Sequence, residues 1–319
     1  MKSLNSDEQL NLEQLENVLP FGGPGTFMKT IATKDIKKGD LVVAGIPFDA
    51  GATFRPGTRF GPKAIRDKSH YAAAFQPVYP WQNSLQHPLI DYGDMVSMPG
   101  TGCLEMMLEL GYTLSNKVLN AGGRLLVLGG DHTIPIGIIR AVAKKFGKIS
   151  LIHLDAHQDS YSVEEFGGQK IYNHGVFATA LVAEGCIDVS TSTQAYIRTI
   201  QPISPDGGYE IIYANDALQM TPEVLAEKIK KRVGNNPVYL TLDIDAIDPS
   251  YAPGTGSPVP GGPSTADVRR LLYALQGINL VGADLVEVNP MYDSNEITAV
   301  AAASLAIDLL QLMDASPKW

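Results

Sequence analysis

Residues 148–159 read KISLIHLDAHQD: an apolar run that stops at Asp155, His157 and Asp159, three side chains able to hold a cation. The run has the length of a buried strand. In an extended segment residues i, i+2 and i+4 point the same way, so the three donors are expected to face one point. Two further runs end alike. Residues 124–128 (RLLVL) lead into Gly129-Gly130-Asp131-His132, and 238–242 (VYLTL) lead into Asp243-Ile244-Asp245-Ala246-Ile247-Asp248-Pro249. A Gly-Gly turn before His132 lets the backbone come close to whatever it surrounds. The donor set is then His132, Asp155, His157, Asp159, Asp243 and Asp245. Four carboxylates and two imidazoles in one place repel and desolvate each other unless cations lie between them. A two-metal hydrolytic site follows.

Each piece alone is weak. A single strand-end histidine is usually just hydrogen-bonded, and acidic loops and DxD turns are common. Their joint occurrence, each after an apolar strand, argues against coincidence. Oxygen donors with some imidazole suit Mn²⁺ and accept Ni²⁺, Co²⁺ or Zn²⁺, and no cysteine ligand points to structural zinc. Two such ions about 3.5–4 Å apart share and acidify a water. His153 has the opposite parity to the donors and is expected to point away, as a packed histidine behind the ligands. His70 and His87 read as structural. Asp131 is a candidate partner for a ligand, and Asp248-Pro249 a closing turn.

Around these segments, strands alternate with helices. Strand candidates are 41–46, 124–128, 148–154, 210–214, 238–242 and 280–288, the last carrying Glu287. Helical patterns cover 106–121, 134–146 with Gly147 as cap, a segment opened by Thr221-Pro222-Glu223, one opened by Ser264-Thr265-Ala266-Asp267, and 297–313. Such alternation means βαβ units and a mainly parallel sheet. Ligands of open α/β sheets bind beyond the carboxyl ends of the strands, where all three donor clusters fall. Residues 1–25 read as a polar, turn-rich N-terminal arm and 26–319 as a single domain.

The chain of 319 residues is 45% hydrophobic and 18% charged, ordinary for a soluble enzyme. A net charge of −9 argues against nucleic acid or an anionic membrane as partner. Cys103 and Cys186 form no metal or disulfide pattern. No signal peptide and no apolar run of membrane-spanning length is read, so a cytoplasmic, reduced protein is expected.

The stretches GGDHT (129–133), LDAHQD (154–159), Asn173-His174-Gly175, LDIDAIDPSYAPGTGSP (242–258) and DLVEVNPMYD (284–293), with RPGTRFGPKAIR (55–66), resemble the ureohydrolase family of arginases and agmatinases. The likeness runs from about residue 40 to 310 and is nearest the agmatinase branch. It implies a three-layer α/β/α sandwich with a mainly parallel sheet. It also implies two divalent metal ions, Mn²⁺ with Ni²⁺ as alternative, on His132, Asp155, His157, Asp159, Asp243 and Asp245. The implied reaction is attack of a metal-bridging hydroxide on the guanidinium carbon of a guanidino compound such as agmatine, giving urea and an amine. Asp159, His174 and Glu287 take catalytic roles by the same match: Asp159 bonds the nucleophile, His174 relays protons, and Glu287 holds the guanidinium. Substrate contacts are assigned to Glu287, His174, Gln158 and Ser257. The expected partners are a small cationic guanidino substrate and other copies of the chain, as a trimer or hexamer, or a related chain in a hetero-oligomer.

Three departures bear on the substrate. Gln158 stands where relatives carry a small residue, Tyr196 is bulky, and 257–263 is proline-rich. Substrate choice is therefore expected around Gln158 and Tyr196. A guanidino acid, an alkylguanidine or a biguanide are alternatives, with Arg55, Arg59 and Arg198 as carboxylate partners for an acid. A non-catalytic subunit role, or a hydrolase of amides or phosphoesters, are the other classes weighed. No Walker-type motif is present.

Overall fold

The computed structural model describes residues 22–74, 81, 84–96, 104–200 and 208–317. The first 21 residues of the arm, and Cys103, lie outside them. Nine strands form one sheet in the order β1-β3-β2-β4-β11-β10-β5-β8-β9. They are β1 (Ile31–Ala32), β2 (Leu41–Ile46), β3 (Leu89–Asp94), β4 (Arg124–Gly129), β5 (Ser150–Leu154), β8 (Thr193–Ile197), β9 (Glu210–Tyr213), β10 (Val238–Asp243) and β11 (Leu280–Val286). Every neighbouring pair in this sheet is parallel. The two remaining strands, β6 (Glu164–Phe166) and β7 (Gln169–Ile171), make a separate antiparallel hairpin.

Alternation along the central strands divides the core in two. Val43, Leu126, Leu128, Ile152, Leu154, Leu240 and Leu242 share one apolar cluster. Their neighbours Val42, Ala44, Leu125, Val127, Leu151 and Tyr239 belong to the other. This is the period-2 signature of strands buried on both faces. The first cluster holds residues from α1 (Gly61–Ala74), α6 (Pro222–Val233), α7 (Thr265–Ala274) and α8 (Ile297–Asp314). The second holds residues from α2 (Leu104–Ala121), α3 (Pro135–Phe146) and α4 (Phe177–Ala183). A short α5 (Ala214–Ala217) follows β9. The expected three-layer α/β/α architecture is the one observed.

Helix ends follow their local chemistry. Thr221 accepts from the Val224 N–H with Pro222 at the first position, and Ser264 with Asp267 forms a complete capping box. Gly147 ends α3, its N–H bonded to Ala143 O. His70 bonds Thr26 O, and His87 pairs with Asp314, both structural contacts as read.

Two expectations change. Strand β11 stops at Val286, and Glu287 follows it with φ 64°. α8, with its leading turn, is apolar and long enough to cross a membrane, at mean hydropathy 1.5. It is 78% buried within the protein, however, and serves as a core helix.

Candidate metal centre

The strands that end at the site, β4, β11, β10 and β5, are consecutive in the sheet. Their carboxyl ends therefore deliver His132, Glu287, Asp243 and Asp155 side by side, although these residues span 155 positions of sequence between His132 and Glu287. Behind β4 the backbone of Gly130 runs against the loop after β2: a Cβ at Gly130 would overlap the Phe48 carbonyl oxygen. Only glycine permits that approach.

His132 is fully buried. Its Nδ1 lies 3.1 Å from Asp155 Oδ2, 3.0 Å from Asp159 Oδ2 and 3.2 Å from Asp243 Oδ2. Asp155 turns its other oxygen, Oδ1, to a second cluster, 3.3 Å from His157 Nδ1, which is itself 3.0 Å from Asp245 Oδ2. Donors side by side around a six-coordinate ion at about 2.1 Å stand about 3 Å apart. The six predicted donors thus form two adjoining subsites, with Asp155 facing both.

The His132 tautomer tests the fit. Thr241 Oγ1 donates to Asp284 Oδ1 at 2.5 Å, so it accepts from His132 Nε2 at 2.7 Å. A neutral ring holding its proton on Nε2 presents the Nδ1 lone pair to three carboxylates, and Nδ1 has no hydrogen-bond partner. A cation resolves that arrangement. The carboxylates carry the same message. Burial, then the charges of Asp245 and Asp155, push Asp243 well above the usual carboxyl range. Burial and Asp155 push Asp245 up to about 6. Burial lowers the His132 pKa, but the carboxylates of Asp155, Asp159 and Asp243 crowded around Nδ1 more than reverse this and hold it well above the ordinary value. A divalent cation in place of that proton suits every group. The buried cluster fits a binuclear divalent metal site.

The donors converge by a different route from the one expected. Strand β5 ends at Leu154, and Asp155, Ala156 and His157 form a bend. The bend is closed by Asp155 Oδ1, which accepts from His157 N at 2.6 Å, and by Asp245 Oδ1, which accepts from Ala156 N at 3.1 Å. Asp159 has φ 46°. Likewise Asp243 ends its strand and caps a 3₁₀ turn, Ile244–Ala246, that contains Asp245. Strand parity does not apply beyond Leu154. His153 accordingly does not turn away: its Nε2 is 2.7 Å from Asp155 Oδ2, and Gln194 Nε2 donates to its Nδ1 at 2.9 Å.

Glu287 is 4% exposed and links the cluster to His174. Its Oε1 accepts from His132 N at 3.0 Å and faces His174 Nδ1 at 3.0 Å. The left-handed backbone that aims it costs about 1–3 kcal/mol for a non-glycine residue. A hydrogen bond from Glu287 N to Gly130 O helps to hold it there. His174 Nε2 meets Thr53 Oγ1 at 2.6 Å. Burial lowers the His174 pKa, but Glu287 raises it more, to about 9. Asp131, expected to partner a ligand, instead accepts from Gly51 N and Thr133 N and so fixes the loop that presents Thr53.

One cavity of about 400 Å³ opens over these groups, lined among others by His157, Asp159, Asp243, Asp245, His174 and Glu287. Ser257 lines it too, brought there by a bridge between Thr255 and Val288. Gln158 and Tyr196 do not. Gln158 is 3% exposed and packed behind the ligands. Tyr196 sits at a bulge of β8 with φ 70°, its ring in the core on the helical side. The expectation that these two shape the pocket is corrected. Arg198 is also committed elsewhere: its guanidinium donates to the carbonyls of Tyr196, Asp245, Ala246 and Val259, tying the loops after β8 and β10 together.

A model of the arginase family matches residues 39–311. The chain belongs to the arginase family. It is 41% identical over 278 residues to an agmatinase of Proteus mirabilis, covering 86% of this chain and 88% of that one. An agmatinase of Photorhabdus laumondii is 42% identical over 275 residues, 86% of this chain and 87% of the relative. Among solved structures, a hypothetical agmatinase from Burkholderia thailandensis superposes with a TM-score of 0.85 at 39% identity, over 93% of this chain and 92% of that one. The proclavaminate amidino hydrolase of Streptomyces clavuligerus also gives 0.85, at 32% identity over 93% and 99%.

Sequence reasoning missed the residues behind the donor cluster: Thr241, Asp284 and Gln194. Their signal was a polar residue inside an otherwise apolar strand, as in VYLTLD and LVGADLV. Thr241→Val keeps the shape but releases the His132 tautomer. Metal affinity should fall about 10–100-fold, read by calorimetric titration of the metal-free protein. An unchanged affinity would contradict the role given to Thr241.

Proposed function

We propose that this chain hydrolyses a guanidino compound to urea and an amine, using two divalent cations held by His132, Asp155, His157, Asp159, Asp243 and Asp245. Mn²⁺ is the resident ion in this reading and Ni²⁺ the alternative, as the donor set accepts both. The observation that carries it is the meeting, in one cavity, of that donor cluster with the His174–Glu287 pair. The agmatinase and amidino hydrolase relatives support it. When bound, the cations would supply Lewis acidity and a water acidified toward neutral pH.

The remaining work falls to side chains. A guanidinium is a delocalised cation and a poor electrophile, so it must be oriented as well as bound. Glu287, which lines the cavity, is suited to orient it, since Oε1 is held by His132 N and His174 while Oε2 lies beside Gly256. It can accept the in-plane N–H groups of the substrate. Asp159 borders the cavity and bonds the attacking water in this reading. His174 donates the proton that the leaving amine needs. Glu287 Oε1 holds the proton at Nδ1, while Nε2 accepts from the Thr53 N–H and lies beside Thr53 Oγ1.

His174→Asn should keep both metals and lower kcat about 100-fold, the usual contribution of a positioned acid. The sign of the pH effect follows from the role. A donor works only while protonated, so wild-type kcat falls as pH rises through the His174 pKa. That value is about 9 in the protein alone and is lowered by nearby cations. The variant should lack this alkaline limb. Turnover equal to wild type would refute the proton role.

The whole reading is tested by assaying urea and amine from agmatine, 4-guanidinobutyrate, 3-guanidinopropionate, arginine, guanidine and alkylguanidines or biguanides. Equal amounts of urea and amine from at least one are expected. No urea from any, with two metals bound, would sink it.

A further inference from the structure

Two residues before Asp155 and Asp243, a row of polar side chains crosses the sheet. In the register of four adjacent strands, Asp284 of β11 pairs with Thr241 of β10, Thr241 with His153 of β5, and His153 with Gln194 of β8. All four side chains are fully buried. Thr241 and Asp284 fix the proton of His132. The hydrogen bonds in the other half of the row are just as directional.

The partners of the Gln194 amide fix its orientation. Its Nε2 lies 2.7 Å from the carbonyl oxygen of Gln158, which can only accept, and 2.9 Å from His153 Nδ1. The atom facing that carbonyl is therefore the NH2, and its second hydrogen is aimed at Nδ1. Nδ1 accepts, so the ring carries its proton on Nε2, 2.7 Å from Asp155 Oδ2. A proton on Nδ1 would face the Gln194 N–H, and a ring turned over would give up both bonds. Phe177, edge to face with His153 at 5.1 Å, packs the ring in place. Gln194 Oε1 is buried without a partner among the described residues, at a cost of about 1–3 kcal/mol. Methionine would avoid that cost but would supply neither N–H.

The position of this proton decides what His153 does. One of its ring nitrogens lies within 4.8 Å of donor atoms of His132, Asp155 and Asp159. Its 2.7 Å separation from Asp155 Oδ2 is close to the spacing of about 3 Å between two donors side by side on one ion. By reach alone His153 could enter the His132 subsite as a second imidazole. As an Nε2–H donor it bonds Asp155 instead. The subsite keeps one imidazole and three carboxylates, those of Asp155, Asp159 and Asp243. An oxygen-rich set favours Mn²⁺, and a further imidazole shifts preference toward Ni²⁺ or Zn²⁺.

We propose that Gln194 is a positioning residue that sets cation preference: by holding the His153 proton on Nε2 it keeps that imidazole out of the His132 subsite. This rests on the two-cation reading, and the test separates the two.

Nitrogen NMR of metal-free protein labelled in its histidines reads the tautomer, with His153→Asn assigning the signal. In wild type, Nδ1 of His153 should carry no proton and Nε2 should carry one. In Gln194→Glu an oxygen replaces the donor, and Nδ1 should gain a proton. The same metal-free proteins are then titrated with Mn²⁺ and with Ni²⁺. The ratio of Ni²⁺ to Mn²⁺ affinity should rise about tenfold in Gln194→Glu. It should rise less in Gln194→Met, which removes the N–H without adding an acceptor. The methionine variant stands in if the glutamate variant does not fold, and the wild-type spectrum needs no variant. A wild-type proton on Nδ1, or a ratio unmoved in the variants while two cations bind, overturns the role of Gln194 alone. A wild type that binds neither ion overturns the metal centre and this role together.

Discussion

Asp155→Ala is expected to abolish tight binding of both cations and to slow urea release by about four orders of magnitude or more. No other donor has this reach, because Asp155 directs Oδ2 at the His132 subsite and Oδ1 at the His157 subsite. The same carboxylate also closes the bend that carries His157, through its bond from His157 N. Opposed by burial, His153, His132 and His157 together hold its pKa well below the ordinary value, so it stays charged throughout the working range. Metal content after dialysis, measured per chain, reads the effect directly. Asp155→Asn serves as the isosteric partner: it keeps an acceptor for His157 N, removes the charge and turns Oδ2 into an NH2 donor. If either variant retained two cations and wild-type turnover, the placement of the centre would be wrong.

Glu287→Gln should act on the substrate instead. Breaking a buried charge pair costs about 3–5 kcal/mol, or roughly 10²–10⁴ in kcat/KM, while the metals remain bound. Part of the loss passes through His174. Its pKa is raised mainly by Glu287 against the effect of burial. Without that carboxylate it falls, and the alkaline limb of kcat should move to lower pH. An unmoved limb together with an unchanged KM would remove Glu287 from both roles.

What could be read from sequence, and what could not, divides along physical lines. Strands β2, β4, β5 and β10 are buried on both faces, so their apolar runs are continuous and their ends stand out. Strands β3 and β8 were missed because polar residues interrupt them. Asp91 in β3 is buried with Arg66, and Gln194 in β8 is buried against His153. Those polar groups are inside because they are paired, which composition does not display. Which histidines and aspartates gather at the strand ends was legible, because metal chemistry restricts the residue types. Donor direction was not, because it depends on backbone turns after the strand: the bend at Asp155, the 3₁₀ turn at Asp245, the left-handed Glu287. For the same reason Gln158 and Tyr196, adjacent in sequence to important segments, lie outside the cavity. Glu164, in a polar stretch with no pattern of its own, lies on its wall.

The central claim is that two cations act together at the ends of β4, β5 and β10. It is tested by titrating metal-free protein with Mn²⁺ and following urea release at each addition. Turnover should remain low after one equivalent per chain and rise to its plateau at two. Full turnover at one equivalent, or turnover without any, would contradict the account.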